Sequence, residues 1–551
     1  MRPSAAATKL FFRPRTFVWG VLIVAVIFLA TYLVLTDRQF RAVRLLNSAY
    51  TVISRVALEV PTADSLVLAA ADGMMSVLDP YCEFLSPSRR DIMREEIEGS
   101  YFGIGVEIVI FDGVITVVSP IPGTPAHRAG LQPGDRIVEI DGESARGIVS
   151  SEAVKRLRGQ QGTTVILGVE RADLEHLLVF ELERDEITIR PVNLAGLTPE
   201  GVGYVRLARF SLGAAEMLDS ILHCFLAEGS TAWILDLRGN PGGFLNEAVQ
   251  VAGCFLSKGT LVCQTRGRNR LASFSSLTSG EPVAADLPLV VLIDGSSASA
   301  SEIVAAAITD HRRGVIAGRR SFGKGLVQSQ SPLNDRHALQ LTTGRYFTPA
   351  GYSFSHPSRD RNEDTIPDDQ VQKGGLTPHV TVESDGPSAL EAELLQKGTF
   401  LNFVVSLPDS TAGKSFDDLW DLFLALIGRE KTRFVTPLEY AVAQAESVAA
   451  LSPIAPRWKK AFTRLWVPAK IDRAAELANA VPRLKVRLAE SLVLFGGECG
   501  AAFLPVYLSL DEDTKIAVEI LTDPERYRSI LGVPFTNHEP PAGILHGHQG
   551  R

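Results

Sequence analysis

The segment GSSASASEIVAAAITDHRR, Gly295 to Arg313, sets serines and small residues between an apolar strand-like run and a helical one. Side chains and backbone N–H groups at such a junction face an open cleft, which suits a nucleophilic serine. Ser299 and Glu302 equally fit the S-x-x-E capping box, where the serine only satisfies the first N–H groups of a helix. In WILDLRGNPGGFLNEAV a buried strand, Trp233 to Leu237, runs into Asn240, Pro241, Gly242 and Gly243 and then into a helix. A turn without side chains lets backbone donors approach a substrate carbonyl, as an oxyanion hole requires. An ordinary strand-to-helix loop has the same composition. In SFGKGLVQS, Ser321 to Ser329, glycines flank Lys324, and in an extended chain Lys324, Leu326 and Gln328 share one face. A lysine acting as general base must be neutral; burial favours that form, and an amide such as Gln328 orients it without adding charge. A solvated lysine in a Gly-rich loop is the plainer reading.

These segments need a scaffold. From about 200 to 350, strand-like runs (GYVRLARF, AWILDLRG, PLVVLIDG) alternate with helical ones (AAEMLDSILHCFLAEG, LNEAVQVAGCFL, SEIVAAAITDHRR), which argues for an α/β core. Residues 99 to 185 carry short β-branched runs separated by Gly and Pro, a compact and mostly β module. Helix-period patterns occupy residues 38 to 78 and 386 to 531, and the Pro-, Gly- and His-rich stretch Thr536 to Arg551 reads as a disordered tail. A chain of 551 residues, 46% of them hydrophobic, is long enough for several packed domains. Its net charge of −8, from 55 basic and 63 acidic residues, gives no footprint for nucleic acid. Five scattered cysteines make neither a disulfide framework nor a CxxC pair, and the histidines show no HExxH spacing, so no metal or organic cofactor is implied.

Residues 17 to 35, FVWGVLIVAVIFLATYLVL, are nineteen positions without a charge, enough to cross a hydrocarbon core as a helix. No AxA-like cleavage site follows, so the expectation is an uncleaved anchor in the lipid bilayer rather than a signal peptide. Basic residues flank both sides; a short N-terminus inside and the remainder outside the cytoplasm is the expected orientation.

In combination the motifs resemble the carboxyl-terminal processing peptidases, or tail-specific serine proteases. The resemblance runs from VLDPYCEFLSP (Val77 to Pro87) through YFGIGVEI, GTPAHRAGLQPGDRIVEIDG, ILDLRGNPGG, SASASEIVAAAITD, SFGKGLVQ and GRYFTPAGYS to GLTPHVTVE (Gly375 to Glu383). It implies a multidomain α/β fold: a crotonase/ClpP-like protease core with an inserted PDZ-like β module, an N-terminal transmembrane helix and a helical C-terminal region. The expected divisions are 1–36 (cytoplasmic N-terminus and anchor), 37–97 (helical), 98–185 (PDZ), 186–385 (Ser/Lys peptidase core), 386–535 (helical) and 536–551 (tail).

The resemblance also implies roles. Ser299 would be the nucleophile, Lys324 the base and Gln328 the residue that orients it, with the N–H groups of Gly243 and Ala300 as oxyanion donors. Glu302 and Asp310 fall on motif positions as supporting residues. Tyr101, Phe102, Gly103 and Ile104 match the loop that receives a peptide's C-terminal carboxylate, and Arg158 is either a residue that couples ligand binding to the active site or an exposed structural arginine. Ser321 stands where the family usually has threonine, and Tyr352 and Phe354 depart from the usual residues of their motif, which bears on substrate preference. The implied activity is serine endopeptidase cleavage, through an acyl-enzyme, of protein substrates with exposed C-termini, in the inner membrane with the catalytic region periplasmic. An adaptor or a homo-oligomer would be an additional partner. A catalytically silent PDZ-containing membrane scaffold is the alternative, although it has no need of Ser299, Lys324 and the NPGG loop together; an acyl-transfer enzyme of CoA type on a similar core has no use for a PDZ-like module.

Overall fold

A computed structural model describes residues 38–532, apart from 94–98, 269–272, 356–373, 408–412, 430–472 and some single or paired positions. The expected span at 17–35 and the tail at 536–551 lie outside the described residues. Among the described residues no helix is long and apolar enough to cross a membrane. The chain divides into two units, Met1–Phe84 and Leu85–Arg551.

In the first unit, helices α1 (Arg38–Val56) and α2 (Ala63–Met75) follow the 3.6-residue period of the sequence. The Thr62 hydroxyl caps α2 by accepting from Ser65 N–H at 3.2 Å.

The second unit opens with the β module. Strand β1 (Ser100–Gly103) pairs with β7 (Asp185–Thr188). A separate sheet runs in the order β2 (Val106–Phe111), β3 (Val114–Pro120), β4 (Arg136–Ile140), β5 (Thr164–Glu170) and β6 (Leu178–Glu183). Helix α3 (Ser150–Leu157) sends Ala153 and Leu157 into a core with Ile104, Ile115, Ile137 and Leu167. Strand β2 lies at the edge of its sheet, so one row of its backbone groups is unpaired by the sheet.

The catalytic candidates sit on a three-layer α/β core. Its sheet orders β8 (Val192–Leu197), β9 (Val202–Leu207), β10 (Ala232–Asp236), β13 (Leu289–Ile293), β14 (Val315–Gly318) and β17 (Val380–Thr381), parallel after the first antiparallel pair. Every residue of β10 and β13 is buried, as expected for strands covered on both faces. Alternation assigns the two faces: Trp233, Leu235, Val291 and Ile293 pack on helices α4 (Ala214–Ala227), α5 (Leu245–Gly253) and α6 (Ala300–Asp310). Ala232, Ile234, Val290 and Leu292 face the other way. A second sheet joins β11 (Leu261–Gly267), β12 (Phe274–Leu277), β15 (Leu326–Pro332) and β16 (Ala338–Phe347).

The C-terminal helices complete the core. Helices α7 (Ala389–Gln396), α8 (Thr399–Val405) and α9 (Phe416–Arg429) pack with α10 (Arg473–Phe495) around Phe400, Phe403 and Phe423. Beyond them, α11 (Leu504–Leu510) and α12 (Glu512–Thr522) cover the second face of the central sheet with Leu504, Tyr507, Leu508, Ala517 and Ile520. Helix α13 (Pro524–Leu531) follows, and its Tyr527 hydroxyl accepts from Leu289 N–H at 3.1 Å. Helices α11 and α12 thus share a hydrophobic cluster with the central sheet: without them, Ile234, Val290 and Leu292 would face water.

Candidate active site

Ser299 stands at the N-cap of α6 with φ +54 and ψ −110. An N-cap serine ordinarily has extended backbone, and a positive φ in a residue with a side chain is uncommon and strained. Glu302 returns the cap bond to the Ser299 N–H at 2.9 Å, and the two residues form the capping box that their spacing suggests.

Glu302 organises more than the helix end. Its side chain is fully buried, and Oε2 accepts from the backbone N–H groups of both Ser299 (2.9 Å) and Lys324 (2.8 Å). Two nitrogens bound to one oxygen lie no farther apart than the sum of those distances, so Glu302 fixes Ser299 and Lys324 side by side. Its other oxygen accepts from Gly323 N–H at 2.7 Å and from the Ser321 hydroxyl at 2.5 Å. Ser321 in turn accepts from Leu376 N–H at 2.7 Å, which ties the lysine loop to the GLTPH segment. Burial pushes the Glu302 carboxyl above its ordinary range, against the pull of the Ser321, Lys324, Gly323 and Ser299 donors.

Lys324 is partly buried. That burial lowers its pKa, and the negative charge of Glu302 opposes the shift without reversing it. The lysine whose backbone shares the Glu302 oxygen with Ser299 thus has its charged form disfavoured.

The NPGG loop lies against the serine. Asn240 is fully buried and makes five bonds: its side-chain amide donates to Leu207 carbonyl (2.7 Å), its side-chain oxygen accepts from Gly242 N–H (2.9 Å), its backbone N–H donates to Leu237 carbonyl (3.2 Å), and its carbonyl accepts from Ala298 N–H (3.0 Å) and the Ser301 hydroxyl (2.9 Å). Gly242 has φ +101, and a Cβ there would come within 2.7 Å of Ala298 O, 2.9 Å of Ser299 Cβ and 3.0 Å of Ala300 N. Phe210 donates to the Gly242 carbonyl (3.1 Å) and accepts from Phe244 N–H (2.8 Å), which fixes Gly243 between them. Ala300 opens α6, so its N–H has no acceptor within the helix.

The pairing of β15 with β16 shifts register between Val327 and Gln328, with Thr343 of β16 as the extra residue. The Gln328 amide donates to the Thr342 hydroxyl at 3.4 Å. Asp310 accepts from Ala350 N–H at 2.8 Å, fastening the end of α6 to the TPAGYS turn.

In the β module, Tyr101, Phe102 and Gly103 form β1, and Ile104 is buried in the core at 2% exposure, so it offers a ligand its backbone and not an open side chain. The Gly105 carbonyl accepts from Ile121 N–H (2.9 Å) and the Thr124 hydroxyl (2.9 Å), closing the loop that leads into edge strand β2. The Arg158 guanidinium stacks over the Tyr101 ring at 4.3 Å, and Gly159 N–H donates to Phe102 carbonyl at 3.3 Å. Arg158 thus supports the loop directly.

The peptidase family S41 model matches residues 201–368, and a PDZ domain model matches residues 116–171. A carboxy-terminal-processing protease of Bartonella bacilliformis is 35% identical over 385 residues, 67% of this chain and 82% of the relative. The chain belongs to this family of proteases. It is a serine-type endopeptidase of the carboxy-terminal processing kind, with a PDZ domain. The carboxy-terminal processing protease CtpA of Bacillus subtilis is 33% identical over 339 residues, 61% of this chain and 68% of the relative. A solved structure titled photosystem II D1 C-terminal processing protease aligns at 27% identity over 65% of this chain and 96% of its own, with a TM-score of 0.36.

The sequence marks Asn240 only as part of the NPGG turn and Glu302 only as a capping and motif position; the buried hydrogen-bond networks both organise arise from tertiary packing.

Proposed function

We propose that this protease is anchored by residues 17–35 and cleaves extracytoplasmic proteins captured by their C-termini, with Ser299 as nucleophile and Lys324 as base. The observation that carries the reading is the single Glu302 oxygen that holds the backbones of Ser299 and Lys324 together. Neutral Lys324 takes the Ser299 proton as Oγ attacks the peptide carbonyl, and the developing oxyanion receives the N–H groups of Gly243 and Ala300. The lysine then delivers that proton to the departing amine. Water, deprotonated by the same lysine, hydrolyses the ester and restores the serine. With an N–H of its amide given to Thr342, Gln328 keeps an acceptor oxygen with which to orient Lys324. The substrate carboxylate would meet the N–H groups of Phe102 to Ile104, and its backbone would add to the edge of β2.

The test is digestion of an unstructured protein by wild type, Ser299→Ala and Lys324→Arg, with fragments read by mass spectrometry. Both variants should be inactive, since a guanidinium stays charged and accepts no proton. Substantial cleavage by Ser299→Ala would remove Ser299 from the mechanism. Anchoring is tested separately by a reporter fused after Arg551, which should behave as extracytoplasmic.

A further inference from the structure

Arg238 lies two residues before Asn240, between strand β10 and the NPGG loop. Its guanidinium is nearly buried and grips Asp236 through Nε (3.0 and 3.1 Å) and Nη2 (2.6 Å). The remaining nitrogen, Nη1, reaches across to the N-terminus of α12, to its N-cap Asp511 Oδ1 (3.1 Å) and to Asp513 Oδ2 (2.7 Å). The same Asp513 oxygen accepts from Arg319 Nη2 at 2.8 Å. Arg319 follows β14 and stands two residues before Ser321, the residue that holds Glu302.

One carboxylate of the C-terminal helices therefore holds two chain segments: the one that carries the oxyanion loop and the one that carries the lysine. Asp513 is itself buried, and Asp511 is fixed by accepting from the Thr514 N–H (3.0 Å) and hydroxyl (2.6 Å), so the anchor is rigid. The Asp236 oxygen that Nη2 grips, Oδ2, also accepts from the Tyr204 hydroxyl at 2.6 Å. A burial cost of this size on three acids and an arginine is not needed to hold helices on a sheet whose face is already apolar.

We propose that Asp513, through Arg238 and Arg319, is a positioning residue that sets the oxyanion loop and the Lys324 loop in register, so that the C-terminal helices are part of the catalytic apparatus. The proposal rests on the Ser299/Lys324 reading. Neither arginine nor Asp513 is assigned a place at the substrate; each acts through the backbone it fixes. The consequence is a defect in the chemical step with little change in substrate capture, because donors aimed at the oxyanion count only in the transition state.

The experiment uses the full chain. Asp513→Asn, Arg319→Gln and Ser299→Ala are compared with wild type for kcat and KM on an unstructured substrate with a free C-terminus, for binding of the corresponding terminal peptide, and for thermal midpoint. Asp513→Asn should lower kcat by about 10–100-fold, the scale of a misplaced catalytic group, with KM and peptide binding within about twofold. Asp513→Glu, which keeps the charge, should recover part of the loss. Arg319 is partly exposed, so Arg319→Gln folds even if Asp513→Asn does not, and it should lower kcat by more than about threefold on its own, a fraction of the same misplacement. If Ser299→Ala is inactive while Arg319→Gln and any folded Asp513→Asn retain kcat within about twofold of wild type, the positioning role is wrong and the Ser/Lys reading stands. If Ser299→Ala is active, the Ser/Lys reading fails first and takes the proposal with it.

Discussion

Gly242→Ala tests whether the NPGG loop is packed against the nucleophile as closely as the distances require. The residue has φ +101, and a non-glycine residue held in a sparsely populated backbone region costs about 1–3 kcal/mol. Its new methyl would meet Ala298 O at 2.7 Å, Ser299 Cβ at 2.9 Å and Ala300 N at 3.0 Å. None of those atoms is the free end of a flexible side chain, so overpacking adds about 1–3 kcal/mol. Together, ~2–6 kcal/mol would be taken from a total that is about 5–15 kcal/mol for a typical domain. Gly259→Ala is the matched control: it has φ +79 with nothing within 4 Å of the added carbon, so it carries the backbone cost alone. The assay is urea unfolding followed by circular dichroism, with kcat measured where both variants are folded. Gly242→Ala should be the less stable of the two and should lose most activity, because the methyl occupies the approach to the Ala300 N–H. Equal stability of the two variants together with wild-type kcat for Gly242→Ala would refute the close packing.

Other outcomes follow from the same geometry. Because burial depresses the Lys324 pKa and the neutral amine is the active form, kcat/KM should rise with pH along a limb centred below the ordinary lysine value of 10.5; a limb at or above that value contradicts the burial argument. Amidating the substrate's C-terminus should weaken capture by about 1–3 kcal/mol, read as a higher KM or as weaker peptide binding, since it replaces a charged acceptor by a donor facing donors. Equal cutting of free and amidated substrates would remove the PDZ loop from recognition. His379 Nδ1 accepts from Ile316 N–H at 2.9 Å, and burial lowers its pKa. The folded state therefore prefers neutral His379, whose contribution is full above the unfolded value of about 6.5 and is lost as pH falls from there through the lower folded value. Unfolding at pH 7.5 and 5 should show a smaller acid loss in His379→Ala than in wild type.

The alternating runs between 200 and 350 made the core legible because parallel strands buried on both faces read as unbroken apolar segments, as AWILD and LVVLI do. The serine, lysine and glycine loops each have a plain structural reading taken singly, and point to chemistry only together, as linked motifs in one order. The partner of Gln328 was less legible: the register of β15 on β16 shifts at Thr343, the extra residue of β16, and no sequence signal marks that bulge. The role of α12 was hidden for a different reason. LSLDEDTKIAVEIL reads as a capped helix with acidic residues in its first turn, which is a complete local explanation. That two of those acids reach Arg238, 273 and 275 residues away in sequence, is a property of tertiary packing alone.

The central claim is that Ser299 is a nucleophile activated by Lys324, and covalent trapping tests it most directly. The full chain is incubated with a serine-reactive fluorophosphonate, its intact mass is measured, and the modified site is mapped by peptide sequencing in wild type and Lys324→Arg. A single adduct on Ser299 in wild type, reduced at least tenfold in rate in Lys324→Arg, is the predicted result, that factor being the low end of what a positioned base contributes. An adduct on another serine, or labelling of Ser299 at an unchanged rate without Lys324, would contradict the account.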